Sequence, residues 1–201
     1  MSWSVFYKED YRAGGTEVNL SGVQSDYEPE FLDNYEIALR SQWLDGNLTF
    51  NANAYFGEWT DQQVNICEPG NIFNCVTQNA GESEIYGAEF DTRYFVSDDV
   101  NIFASLGLAR TEFINYISDT DGGLSGNTFA FSPDTTTAIG AQVYFSENLD
   151  ISGNLNYQSD MYSDVQNTVE LSSRTLLNLK DGYEFDNFEI EAYFNNLTDK
   201  F

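Results

Sequence analysis

The stretch Asn34-Tyr35-Glu36-Ile37-Ala38-Leu39-Arg40-Ser41-Gln42-Trp43-Leu44-Asp45-Gly46-Asn47-Leu48-Thr49-Phe50-Asn51-Ala52-Asn53-Ala54-Tyr55-Phe56 decides the fold. It reads as two long strands joined by a tight turn at Leu44-Asp45-Gly46-Asn47. On the first arm Tyr35, Ile37, Leu39 and Trp43 share one face, and Asn34, Glu36, Arg40 and Gln42 share the other, with Ala38 among them. On the second arm Leu48, Phe50, Ala52, Ala54 and Phe56 alternate with Thr49, Asn51, Asn53 and Tyr55. Such period-two alternation around Asp-Gly is a hairpin signal, because the central turn residues need positive φ at little steric cost.

The length of the alternation carries more than its existence. Soluble strands run about five or six residues, whereas each arm sustains the pattern for roughly ten. Five apolar positions on alternate residues span about 27 Å at ~3.3 Å per residue. Tilted by about 40°, they cover roughly 20 Å, close to the ~25 Å apolar band of an outer-membrane barrel. Trp43 and Phe56 close the band with aromatic rings, as interfacial girdles require.

Composition agrees. Of 201 residues 41% are hydrophobic and 16% aromatic, yet no run reaches the ~18 apolar residues of a spanning helix. The mean hydropathy of -0.41 fits a barrel whose inner face and loops are polar. Met1-Ser2-Trp3-Ser4-Val5 enters directly on strand-like alternation without a secretory leader. The expectation is a chain whose leader was removed, or a piece of something longer. With 33 acidic against 8 basic residues, a net charge of -25, nucleic acid is excluded as a partner, since that binding neutralises phosphates with Lys and Arg. The chain has no histidine, which removes the usual metal ligand and general base. No cofactor and no enzymatic activity are expected.

The pattern repeats along the chain. Trp3, Val5 and Tyr7 form the tail of a first strand, and a polar loop follows from Asp10 to Glu30. After the deciding hairpin, a second long connection is predicted from Thr60 to Ser83. Glu84 to Val96 pairs with Val100 to Thr111 through Ser97-Asp98-Asp99, and a third long loop covers Asn115 to Asp134. Thr135 to Phe145 pairs with Leu149 to Gln158 across Ser146-Glu147-Asn148. Beyond the polar segment Ser159 to Glu170, Arg174 to Tyr183 pairs with Phe188 to Asn195 around Asp186-Asn187. Short turns thus alternate with long loops, the asymmetry of periplasmic turns and external loops. Charged strand residues, among them Glu36, Arg40, Glu89, Asp91, Arg93, Asp150 and Lys180, oppose the apolar register, as a bilayer would enforce. The fold class is all-β: an antiparallel up-and-down meander of about nine long strands. A soluble β-sandwich also hides one apolar face, and only strand length and loop asymmetry argue against it.

Five motifs in order carry a family resemblance. Tyr11-Arg12-Ala13-Gly14-Gly15 with Tyr27-Glu28-Pro29-Glu30-Phe31-Leu32-Asp33-Asn34-Tyr35-Glu36 resembles a signature of TonB-dependent outer-membrane receptors. Ile85-Tyr86-Gly87-Ala88-Glu89-Phe90, Leu124-Ser125-Gly126-Asn127 followed by Ser132-Pro133, and Asn195-Asn196-Leu197-Thr198-Asp199-Lys200 resemble further motifs of that family. The resemblance implies that residues 1–201 are a segment of a large, 22-stranded transmembrane β-barrel. The plug domain, the earlier strands and the final strand would lie outside it. It implies outer-membrane lipid, the TonB complex reached through a plug, and a ferric siderophore or related small ligand as partners, in a Gram-negative outer membrane. Nine strands would not close alone, since bacterial single-chain barrels use even numbers and open edges are intolerable in lipid.

Candidate site residues follow. Cys67 and Cys75 lie in a predicted external loop, where an oxidising compartment favours a disulfide. Tyr11, Arg12, Trp59, Arg110 and Tyr116 stand near predicted loop mouths as ligand-loop candidates, although aromatics there often serve as girdle residues. Asp119-Thr120-Asp121-Gly122-Gly123 lacks the remaining positions of a calcium loop and reads as an acidic turn. The carboxylates Glu89 and Asp91, or Glu189 and Glu191, hydrate the lumen or pair with Arg93 and Lys180 rather than acting as acid and base. Cobalamin, other metal chelates and oligosaccharides are alternative cargoes. The alternative readings are a small self-contained outer-membrane pore or adhesin, a secreted carbohydrate-binding sandwich and, weakest without histidine, an outer-membrane enzyme.

Overall fold

The computed structural model describes residues 1–68, 71–118 and 122–198, the side chains of residues 68, 72 and 118 aside. Its strands are β1 (Ser2–Arg12), β2 (Gly15–Val18), β3 (Gln24–Tyr27), β4 (Glu30–Trp43), β5 (Leu48–Glu68), β6 (Asn71–Ser97), β7 (Val100–Asn115), β8 (Ile117–Ser118), β9 (Gly122–Gly123), β10 (Thr135–Ser146), β11 (Leu149–Gln158), β12 (Met161–Tyr162), β13 (Glu170–Leu171), β14 (Arg174–Phe185) and β15 (Phe188–Phe194). Nine of them form one antiparallel sheet in the order β1-β4-β5-β6-β7-β10-β11-β14-β15. The other six make two-stranded hairpins within the long loops.

The deciding hairpin pairs Tyr35 with Phe56, Ile37 with Ala54, Leu39 with Ala52 and Trp43 with Leu48. Its turn takes φ of 52° at Leu44, 56° at Asp45 and 96° at Gly46, the left-handed region that Asp-Gly tolerates. One apolar register then runs across the sheet. Val5 faces Ile37, Ile37 faces Ala54, Ala54 faces Ala88, and Ala88 faces Leu108. The series continues through Ala104 and Ile139 to Leu155 and Leu177. These side chains are not covered: Val5 is 80% exposed, Trp43 52% and Ile37 47%. A sandwich would bury this face against a second sheet. Among the described residues no such sheet exists, so the oily surface faces outward, as in a membrane barrel.

Register also yields the tilt. Leu48, which opens β5, pairs with Tyr94, and Tyr94 pairs with Ile102, two residues into β7. The same two-residue step separates the starts of β7 and β11, and of β11 and β15. Each hairpin therefore slides by roughly 6.6 Å along the strand for about 9.6 Å across it, a tilt of ~35°. The eight residue steps from Tyr35 to Trp43 then rise roughly 22 Å, matching the apolar band.

Two expectations are corrected. The connection predicted over Thr60 to Ser83 is not a loop: β5 and β6 continue as one ladder to the pair Cys67–Cys75. Its polar composition hid an alternation in which Val64 and Ile66 are buried. Charge is also not confined to the inner face. Asp181 shares the outward register, between Ile151 and Ala192. A second exception is ordered: Glu9, Asp33, Glu58, Glu84 and Glu112 face one another in a single outward row across five adjacent strands. That row lies one step beyond the girdle of Tyr7, Tyr35, Phe56 and Tyr86, where hydrocarbon gives way to water.

Candidate functional site: the inner wall and its loop cap

The inner face is built by the other parity of the same strands. Glycines make room for its rings: Tyr55 lies across Gly87 and Phe103 across Gly140, each its direct cross-strand partner. Between the rings the wall is lined by amides and carboxylates. Asn53 donates to Glu36 at 3.4 Å and Asn51 to Asp91 at 3.4 Å. Asn101 donates to Gln142 at 3.3 Å, which donates to Asp150 at 3.4 Å. Asn156 and Asn178 both donate to the Asn154 carbonyl, at 2.6 and 3.0 Å. An open trough of about 430 Å³ lies among Arg40, Asn51, Asn53, Glu89, Asp91 and Ser105. A second of about 430 Å³ runs over Gly87 and Ala109 between Tyr55 and Asp134. Lys180 is ion-paired to Glu191, while no ion pair joins Arg93 to Glu89 or Asp91. Such a wall is wet and hydrogen-bonding, suited to a polar solute or a packed polar domain.

Above the wall the outer ends of β5, β6 and β7, together with the connections after β7 and β12, make the structure's buried core. Val64, Ile66, Ala80, Phe113, Tyr116, Leu124 and Val165 pack together, with Phe129 and Ala130 against them. On the other side the β2–β3 hairpin is zipped to the β5–β6 ladder by polar contacts. Gln63 donates through Nε2 to the carbonyls of Ala13 and Glu28, both at 3.0 Å. Asn79 donates to the Glu28 carbonyl and accepts from its amide. The hairpin tip is closed by the Cys67–Cys75 disulfide, S–S 1.97 Å. In the loop after β12, partial burial pushes the Asp164 carboxyl up. Hydrogen bonds from the Thr168 hydroxyl and the Val169 and Thr168 amides more than offset this, holding it below the usual carboxylate range.

The five ligand-loop candidates do not converge. Tyr11 points outward, stacked on Phe31 at 6.5 Å. Arg110 has the outward register of Tyr86 and is ion-paired to Asp134. Tyr116 is 1% exposed and serves the loop core. Arg12 is held by Glu30 at 3.1 Å and the Gln63 carbonyl at 3.2 Å. Trp59 packs edge-on against Phe129 at 5.8 Å. Gln63 and Asn79, the hubs of the cap, escaped sequence reading, because a polar residue inside a polar stretch carries no periodic signal. Among the described residues no group of His, Cys, Asp and Glu has the arrangement of a metal site. Asp119, Thr120 and Asp121 of the acidic turn lie outside the described residues, as do Asp199, Lys200 and Phe201.

An open antiparallel wall, oily without and wet within, with tight turns at one end and folded loops at the other, is the class of a transmembrane β-barrel wall. The chain belongs to the TonB dependent receptor-like β-barrel family, which it matches over residues 2–197. Among solved structures it is similar to the ferric yersiniabactin uptake receptor FyuA from Yersinia pestis, with a TM-score of 0.80 at 18% identity, covering 98% of this chain and 30% of that one. The siderophore receptor PiuA from Acinetobacter baumannii follows at TM-score 0.73 and 21% identity, again with 98% and 30% covered. BauA, the ferric preacinetobactin receptor from Acinetobacter baumannii, superposes at TM-score 0.69 and 20% identity, with 98% and 30% covered. The chain therefore spans about 30% of the length of these structures.

Proposed function

We propose that this chain forms part of the wall and the external cap of an outer-membrane receptor that imports a ferric siderophore or a similar scarce ligand. Energy would come from the TonB complex through a plug domain, and the remaining strands of the barrel would be supplied outside residues 1–201. The observation that carries the reading is the segregation of oily and wet faces across nine strands, interrupted within the apolar band at Asp181, with folded loops at one end and tight turns at the other. FyuA, PiuA and BauA are receptors for ferric yersiniabactin, a siderophore and ferric preacinetobactin, which supports the choice of cargo class. The chain's role is mechanical and selective: a stiff wall, a hydrated inner surface and a structured mouth. A self-contained pore is disfavoured, because β1 and β15 run in the same direction and would meet in a parallel seam.

The test is uptake of radiolabelled ferric siderophores by cells carrying the complete receptor, with and without TonB. Accumulation that requires both supports the reading. Equal accumulation without TonB, or a receptor absent from outer-membrane fractions, refutes it.

A further inference from the structure

Among the described residues Asp181 is the one charged side chain that takes the outward register inside the apolar band, between Ile151 and Ala192. It is exposed, and its carboxylate has neither an ion pair nor a hydrogen bond among them. Lys180, next to it, has the inward parity and is ion-paired to Glu191. Asp181 lies four residues from Phe185, a rise of roughly 11 Å above the turn-proximal ring at a ~35° tilt. Its short side chain is therefore out of reach of the lipid headgroups. A second copy of the chain brings only another carboxylate, and like charges repel. An ionisable group at this depth calls for a partner of opposite charge within the membrane, and the sheet shows where one arrives.

Among the described residues β15 has a single neighbour, β14, and its other edge has to be covered in lipid. Ala192 lies between Asp181 and that edge. It forms a low saddle between its same-face neighbours Ile190, 57% exposed, and Phe194, 51% exposed. A strand beyond β15 stands roughly 9.6 Å from Asp181, a gap that an aspartate and an extended Lys or Arg side chain close together over an alanine. We propose that the strand covering β15 lays a Lys or Arg across Ala192 onto Asp181, and that this ion pair sets the register of the seam. A one-residue slip is forbidden already, because it turns every oily side chain of the strand inward. A two-residue slip keeps the faces, so the apolar pattern is blind to it, but it carries the cation roughly 6.6 Å along the strand and breaks the pair. The pair specifies register and adds no stability, since a long cation freed from Asp181 reaches the headgroups and an aspartate does not. The inference rests on the reading above, in which the remaining strands lie outside residues 1–201.

The experiment uses the complete receptor in outer membranes. Oxidative cross-linking of Phe194→Cys to single cysteines along the strand covering β15 fixes the register, and with it the residue that faces Ala192. That residue should be Lys or Arg, with one dominant cross-link. Asp181→Asn should add a second cross-link two residues away. Asp181→Lys should lower the yield of assembled barrel about tenfold, and exchanging the facing cation for Asp in the same chain should restore it. A neutral or acidic residue facing Ala192, a single cross-link unchanged by Asp181→Asn, or a loss that the charge exchange does not restore would each overturn the inference. So would a separate basic membrane protein that co-purifies only while Asp181 is present. An assembled barrel in which no strand cross-links to β15 overturns the receptor reading as well, whereas a covering strand without a cation overturns the ion pair alone.

Discussion

Tyr55 lies directly over Gly87, so that a Cβ built on the glycine would meet the tyrosine hydroxyl oxygen at 2.6 Å and would also strike the Leu108 carbonyl. The glycine is therefore a seat for the ring, and the ring fills the gap the glycine leaves in the wall. Gly87→Val should destabilise the barrel by about 1–3 kcal/mol through overpacking. Adding Tyr55→Ala should restore only part of the loss, because the Leu108 carbonyl stays in the way. Urea unfolding of the complete receptor in detergent micelles reads both effects.

The outward carboxylates predict a stabilising substitution. Glu84 faces Glu58 on one side and Glu112 on the other, and like charges directly opposite in a sheet repel. Glu84→Gln should raise stability by about half a kcal/mol at low salt. The gain should shrink as salt screens the pair. A gain that persists unchanged in concentrated salt would argue against the electrostatic origin.

Removing the staple should loosen the cap and spare the wall. Replacing Cys67 and Cys75 together by Ser frees a short loop and should cost about 2–3 kcal/mol in that hairpin. Hydrogen exchange should accelerate across residues 62–80 and stay unchanged in β10, β11 and β14. Uniform acceleration would mean that the ladder is one cooperative unit with the barrel.

Asp164 gives the cap a response to acid. Its folded carboxyl titrates below its unfolded value, so its contribution is fully present above the unfolded value and is lost as pH falls through the folded one. The turn from Asp164 to Val169 should therefore hold at neutral pH and open below the usual carboxylate range. Asp164→Asn should be insensitive to pH there. The amide resonance of Val169, followed by NMR through the acid range, distinguishes the two.

Asp181 is the outward carboxylate that stands within the apolar band, four residues from the turn-proximal Phe185. Asp181→Leu should stabilise the barrel by on the order of 1 kcal/mol in lipid. Thermal unfolding in vesicles measures it.

Most of the barrel was legible because lipid forces a code. A side chain pointing at hydrocarbon must be apolar, so parity alone predicted that Ile37, Ala54 and Ala88 would share a face while Asn53 and Glu89 shared the other. The Leu44 to Asn47 turn was equally plain, since few residues tolerate its φ. Parity also holds the outward placement of Tyr11 and Arg110, although proximity to a loop mouth had suggested a ligand role. Above the membrane the code lapses. Both faces of the β5–β6 extension meet water or other loops, so its strands look like loop. The burial of Tyr116 depends on residues 122–130 folding back onto it, a nonlocal event without periodic trace.

The two-residue slide of each hairpin turns a level row into a ramp. Five strands separate Glu9 from Glu112 inclusively, a span of roughly 19 Å across the sheet, which a ~35° tilt converts to about 11 Å of height. Glu9 thus stands lowest, among lipid headgroups, and Glu112 highest, in open water. Identical carboxylates along one staircase experience a graded dielectric, and the energetic weight of each is set by the step it occupies.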